Sequence, residues 1–141
     1  MRIGDDRGTT IPLILGFFII ALITVAGAVA AGDAFVQQRG LQDVCDGAAA
    51  AAAAGGADLN RGTALAAERS LRFAGVQDVV DDYLARDPGR MAVRVEASLS
   101  ADARTVQLTC TETTRIAFGA MFGHGDGIAH LARSSARSPL S

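Results

Sequence analysis

The sequence predicts an α+β protein built on one long N-terminal helix, followed by a second helix and a small antiparallel β-sheet of two to three strands. Three observations predict this architecture. An uncharged apolar run from Ile11 to Ala31 passes into an alanine-rich segment with helical spacing. A second helical pattern precedes Pro88, and an alternation of apolar and polar side chains follows it.

The first helix is predicted to span a membrane over residues 11–32. Its uncharged run holds about 20 residues, the length of helix that crosses a hydrocarbon core of about 30 Å. Arg2 and Arg7 precede the run, and only Arg39 follows it closely. Because arginine is enriched on the cytoplasmic side, the leader 1–10 is expected in the cytoplasm and the body outside, in a single-pass topology.

A cleaved secretory signal peptide is the alternative interpretation of the same run. Small residues at 26–28 and 28–30 match the pattern that signal peptidase cuts. The apolar run is longer than the roughly 7–15 residues usual for a signal peptide, and Asp5 and Asp6 reduce the positive charge before it. These two facts favour a retained anchor.

The helical spacing continues beyond the membrane segment as a predicted stalk over residues 33–54. Leu41, Cys45 and Ala48 fall on one face at steps of three and four. The alanine run that follows has the highest helix propensity of any residue type. Gly55-Gly56 is predicted to end the helix, because glycine is the usual residue just beyond a helix C-terminus.

A small extracytoplasmic α+β body is predicted over residues 55–136, with a flexible tail over 137–141. A turn-rich link from Ala57 to Gly62 leads into a helix that begins at Thr63. That helix is predicted to run to about Arg86, because the turn residues Asp87-Pro88-Gly89 follow.

The rest of the body follows a period of two, which predicts strands. The apolar side of the first strand consists of Met91, Val93, Val95, Ala97 and Leu99. The return strand, Thr105 to Thr114, has an apolar side made of Val106, Leu108 and Cys110. The segment from Ile128 to Ala136 is predicted to add a third strand.

The two cysteines predict the main covalent feature of the body. Cys45 lies on the apolar face of the stalk, and Cys110 lies on the apolar face of the return strand. An even cysteine count in an oxidising compartment is typical of a disulfide. Two buried free thiols are the alternative. The wide spacing excludes a C-x-x-C metal or redox motif.

The composition argues against nucleic-acid binding, cofactor binding and catalysis. The net charge is -2 and the pI about 5.6, so the chain has no basic footprint for nucleic acid. An aromatic content of 5% without tryptophan argues against a stacking site for a small-molecule substrate. His124, Asp126 and His130 lack a fourth metal ligand, and no Ser–His–Asp set is evident. The sequence therefore predicts no enzyme, no cofactor and no metal.

Residues 7–54 resemble the N-terminal region of TadE/TadG-like proteins, the minor pilins or pseudopilins of the Flp (tight adherence) type IV pilus. The residues that carry the resemblance follow the membrane segment: Asp33, Leu41, Gln42 and Asp46, and then the alanine run 48–54. The hairpin and the segment 114–123 resemble such proteins in outline. The resemblance implies a membrane-anchored pilus-assembly subunit that binds other subunits through its N-terminal helix and can enter a surface filament.

One position departs from the family pattern. Family members that prepilin peptidase cuts have a glycine before the cut and a glutamate as the fifth residue after it. Gly8 offers the glycine, but Leu13 stands at the fifth position. TadG-like members commonly lack this signature, so the departure bears on processing rather than on the family.

Packing of the membrane helix against other subunits needs small residues, because these let helix backbones approach closely. The candidates on the predicted membrane segment are Gly16, Ala21, Gly27, Ala28 and Ala31. The alternatives are a plain single-pass envelope protein with an unrelated interaction role, and a secreted small metal-binding or enzymatic domain. The second alternative requires cleavage of the apolar run and a site that the residues do not offer.

Overall fold

The computed structural model describes residues 10–61, 73–101 and 104–137, and it confirms the predicted α+β class. A long helix and a short helix precede a three-stranded sheet, and 3₁₀ turns lie before the first strand and the last. The elements are α1 (Thr10–Arg61), α2 (Phe73–Ala85), β1 (Arg94–Leu99), β2 (Thr105–Thr114) and β3 (Ile128–Arg137).

Helix α1 is the largest element and has two unlike halves. Its 52 residues extend over about 78 Å at the usual rise of about 1.5 Å per residue. The most apolar window of its N-terminal half is only 6% buried, so this half is not a core helix of the body. Among the described residues it is the one helix long and apolar enough to cross a membrane.

The prediction that Gly55-Gly56 ends this helix is wrong, as is the predicted link from Ala57, because α1 continues to Arg61. A Cβ atom on Gly55 would lie 2.9 Å from Cγ2 of Val79 in α2. Gly55 therefore provides room for a close approach of two helices and does not act as a stop signal. Glycine lowers helix stability by about 1 kcal/mol relative to alanine, and the packing of α2 offsets this cost.

Helix α2 corresponds to the C-terminal part of the predicted second helix. It is described from Phe73 to Ala85, and residues 63–72 of the predicted helix lie outside the described residues. The predicted end is close to the observed one, because the Asp87 side chain accepts a hydrogen bond of 2.9 Å from the Gly89 N–H and starts a 3₁₀ turn. The salt bridge from Arg86 to Asp82 lies on the exposed side.

The three strands form one antiparallel sheet in the order β1-β2-β3, so β2 is central and the predicted third strand is present. Cys110 on β2 pairs with Val95 on β1 and with Ala132 on β3. The third strand extends one residue beyond the prediction, to Arg137, which was assigned to the flexible tail. Residues 138–141 of that tail lie outside the described residues.

The first strand begins later than predicted. Met91 was expected on the apolar side of the strand, but it is 68% exposed and lies before β1. The Met91 N–H donates to the Pro88 carbonyl, and the Val93 N–H donates to the Arg90 carbonyl. These turn hydrogen bonds keep the segment out of the extended conformation that pairing with β2 requires. The alternation of apolar and polar residues thus extends from β1 toward the N-terminus into a turn, where the backbone is not a strand.

The core lies between the C-terminal half of α1, helix α2 and the inner face of the sheet. The largest fully buried side chains are Leu41, Cys45, Val76, Val80, Val106, Leu108 and Cys110. Between them, Ala48, Ala49 and Ala52 of α1 are completely buried. These small side chains allow the helix axis to lie close to its neighbours, and the predicted stalk thus supplies one wall of the core of the body.

Candidate membrane and assembly surface

A disulfide fixes α1 to the centre of the sheet. Cys45 and Cys110 are bonded, with their Cα atoms 5.9 Å apart and a separation of 65 positions in the sequence. Both side chains are fully buried in the core. The two residues on which the sequence placed a disulfide therefore meet where the helix crosses the central strand.

The residues of the TadE/TadG-like pattern lie on the side of α1 that meets the body. Leu41 is buried in the core. The Gln42 side-chain amide donates hydrogen bonds to the Arg133 carbonyl at 3.1 Å and to the Asp46 carboxylate at 3.0 Å. Asp46 thus orients Gln42, and Gln42 binds the backbone of β3.

Gln38, one turn earlier, also binds the backbone of β3, and the sequence did not predict this contact. Its side-chain N–H group donates to the Leu131 carbonyl at 2.8 Å, and its carbonyl oxygen lies 3.1 Å from Nδ1 of the buried His130. Two glutamines four residues apart lie on one helix face, here beside an apolar stripe. This pattern was the one sequence feature that could have indicated a shared contact. Their carbonyl partners, however, are about ninety residues away in the sequence.

Asp33 connects the C-terminal end of the apolar half of α1 to the loop between β2 and β3. Its carboxylate accepts a hydrogen bond of 2.8 Å from the Ala117 N–H, in a partly buried position. Hydrogen bonds to an ionised carboxylate are among the stronger ones in proteins. The carboxylate of Asp33 is therefore bound by the body and not only by solvent, and it holds Ala117 of the loop beside the helix.

The small residues proposed for helix packing do not share one free surface. Gly27 faces the chain's own loop, because a Cβ atom on it would lie 3.8 Å from Cζ of Phe122. Gly16 has nothing within 4 Å of such a Cβ, and Ala21, Ala28 and Ala31 are exposed. Ala21 and Ala28 are seven residues apart, about two turns, and so lie on the same side of α1.

The histidines and acids of the body do not form a metal centre in the described residues. His130 is buried against Gln38, whereas His124 and Asp126 are exposed on the loop before β3. Within residues 10–61, 73–101 and 104–137, no three His, Cys, Asp or Glu side chains are placed to hold a metal ion together.

Residues 8–55 match the model of the family described as Tad, putative Flp pilus-assembly TadE/G-like. This range contains the helix segment that can span a membrane, the Asp33–Asp46 positions and the alanine run, and it confirms the resemblance over about a third of the chain. Comparison with curated proteins and with solved structures gives no match.

Proposed function

We propose that this chain, whose residues 8–55 are TadE/TadG-like, is a membrane-anchored minor pilin-like component of a Flp/Tad pilus assembly or secretion system. Its role there is structural rather than enzymatic, and it acts by packing its N-terminal helix against other subunits. The observation that carries the proposal is the division of α1, whose apolar half projects free while the body holds the other half.

The attachment of the body to α1 is rigid, which supports a role in ordered assembly. The disulfide fixes Cys45. Along the same helix, Gln38, Gln42 and Asp33 all hydrogen-bond to the backbone of the body. A subunit whose helix and body move as one loses less conformational entropy when it joins an assembly.

The free half of α1 suits both a bilayer and a helical assembly. Its large side chains are exposed, among them Ile14, Phe17, Phe18, Ile20 and Leu22. These residues are at low free energy in lipid, where helix association depends on close packing rather than on the hydrophobic effect. The surface on the side of Ala21 and Ala28 is the part of this half on which a second helix can approach closely.

The test uses substitutions on two sides of the same helix. Ala21→Leu with Ala28→Leu keeps the helix apolar but fills the surface between the small residues. Val29→Leu is the matched control, because Val29 is already large and exposed. Gly27→Leu is less suitable, since it would displace the chain's own Phe122.

The readout is cross-linking to other pilus subunits in the envelope, together with membrane insertion. The double variant is expected to insert normally and to lose its cross-links, while Val29→Leu keeps both. Normal cross-links and normal pilus formation in the double variant would leave α1 as a plain anchor and overturn the proposed packing.

A further inference from the structure

The loop between β2 and β3 runs back along α1 toward the membrane segment. It starts beside Asp33, which accepts the Ala117 N–H at 2.8 Å. Five residues later, Cζ of Phe122 lies 3.8 Å from the position that a Cβ on Gly27 would occupy. Gly27 precedes Asp33 by six residues, so the loop descends by about 9 Å along the helix axis.

This descent brings the loop to the depth of the lipid. The uncharged run of α1 ends at Ala31, and its length matches a hydrocarbon core of about 30 Å. Gly27 lies four residues inside that end, or about 6 Å along the axis. With α1 in a bilayer, Phe122 therefore lies below the outer boundary of the hydrocarbon, beside the helix.

Three side chains of the loop are apolar and exposed, one next to Ala117 at its start and two at the end that reaches Gly27. Phe118 is 50% exposed, Met121 67% and Phe122 41%, and we refer to these three residues as the loop tip. The sequence from Ile116 to Gly123 contains no charged residue. Three exposed large apolar side chains within five residues are a candidate interaction surface, because soluble surfaces rarely group such side chains.

Backbone hydrogen bonds hold the loop tip in one conformation. Packing within the body does not account for its apolar side chains, because they are exposed. The Met121 N–H donates to the Phe118 carbonyl at 2.9 Å, and the His124 N–H donates to the Gly119 carbonyl at 2.8 Å. Phe118 has φ 59°, a left-handed conformation that a bulky residue rarely adopts. The fold thus holds a half-exposed phenylalanine where a glycine or asparagine would be less strained.

We propose that the loop tip inserts into the outer lipid leaflet beside α1 and gives the body a second contact with the membrane. The inference rests on the membrane anchoring in the proposed function. Phe118, Met121 and Phe122 enter the boundary between headgroups and acyl chains, where apolar side chains of membrane-surface segments are buried. The helix and the loop tip together fix the orientation of the body relative to the bilayer.

Single-tryptophan fluorescence tests this proposal, because the chain contains no tryptophan. The full chain with Met121→Trp is reconstituted into phosphatidylcholine vesicles at high lipid-to-protein ratio, with and without lipids brominated on their acyl chains. We expect blue-shifted emission that brominated lipid quenches. Phe122→Trp repeats the measurement at the residue that faces Gly27, so that the result does not depend on one substitution.

Two matched variants separate the possible outcomes. Ile20→Trp reports on the exposed face of the membrane helix and is expected to be quenched, and Gln107→Trp on the outer face of the sheet is expected to be unquenched. An unquenched Ile20→Trp would overturn membrane anchoring itself. A quenched Ile20→Trp with water-like emission from both loop-tip variants would overturn only loop insertion. Blue-shifted but unquenched loop-tip emission would show that protein covers the loop tip, and would also overturn it.

Discussion

At the scale of single residues, the glycines of α1 show how one residue type serves different purposes. Gly40 has nothing within 4 Å of the position its Cβ would take, whereas Gly55 would bring its Cβ within 2.9 Å and 3.1 Å of the two methyl groups of Val79. The sequence alone suggested that Gly55 ends the helix. Its real role depends on a partner in another helix, and local sequence patterns do not contain that partner.

This difference leads to opposite predictions for the same substitution. Gly40→Ala is expected to raise the free energy of unfolding by about 0.5–1 kcal/mol, because alanine favours the helix. Gly55→Ala gains the same propensity but forces apart two packed helices, and overpacking costs about 1–3 kcal/mol. Val79 is β-branched and cannot easily rotate away. Urea denaturation of both variants checks this, and equal stabilisation by both would contradict the close approach.

At the scale of elements, α1 protects the edge of the sheet. β3 is an edge strand, and an uncovered edge strand offers unpaired carbonyl and amide groups to other chains. The side chains of Gln38 and Gln42 occupy the carbonyls of Leu131 and Arg133 on this edge. The helix therefore supplies hydrogen bonds to two carbonyls of this edge, in addition to packing against the inner face of the sheet.

Removal of both glutamines is expected to weaken this edge. Gln38→Ala with Gln42→Ala deletes the two hydrogen bonds to the β3 backbone, each contributing about 0.5–1.5 kcal/mol, and also removes the contacts with His130 and Asp46. It leaves β3 free to pair with other copies. The expected result is a lower free energy of unfolding and a greater tendency to aggregate. Gln37→Ala on the same helix is the control. If Gln37→Ala has the same effect as the double variant, the loss reflects helix composition and not the edge of the sheet.

The elements themselves were largely predictable, and their partners were not. Thr105–Thr114 was predicted with its observed bounds, because a strand with one buried face shows its period of two directly in the sequence. Met91 was assigned to β1 because the same alternation continues by chance through a coiled turn. The roles of Gln38 and Asp33 stayed hidden, since each depends on a backbone group more than eighty residues away.

At the scale of the whole molecule, the disulfide couples α1 to the sheet. It closes a loop of 65 residues, and by the chain-entropy model such a bond contributes about 4 kcal/mol. Small domains have total stabilities of about 5–15 kcal/mol, so the bond accounts for a large share. Cysteine spacing alone left two free thiols as the alternative, because only the crossing of α1 over β2 brings residues 45 and 110 together.

Removal of either cysteine is expected to have the same effect as removal of both. Cys45→Ala, Cys110→Ala and the double variant each remove the same cross-link, so the three should show similar protease sensitivity and similar losses of stability. The membrane segment should insert normally in all of them. Additive losses in the double variant would contradict a single shared bond, and so would two free thiols in protein taken from the envelope without reductant.

The same bond bears on the orientation of the whole molecule in the membrane. Disulfides persist outside the cytoplasm, and Arg2 and Arg7 on the N-terminal side of α1 favour a cytoplasmic leader. A reporter enzyme that is active only outside the cytoplasm, fused after Arg137 so that the described body stays complete, is therefore expected to be active. The same fusion with Arg2→Glu and Arg7→Glu should lose part of that activity, because the charge difference across α1 is removed.

A reporter that is active only in the cytoplasm, when fused at the same point, should be inactive. Activity of that second reporter would reverse the orientation and leave a buried disulfide in a reducing compartment, which the fold gives no reason to expect.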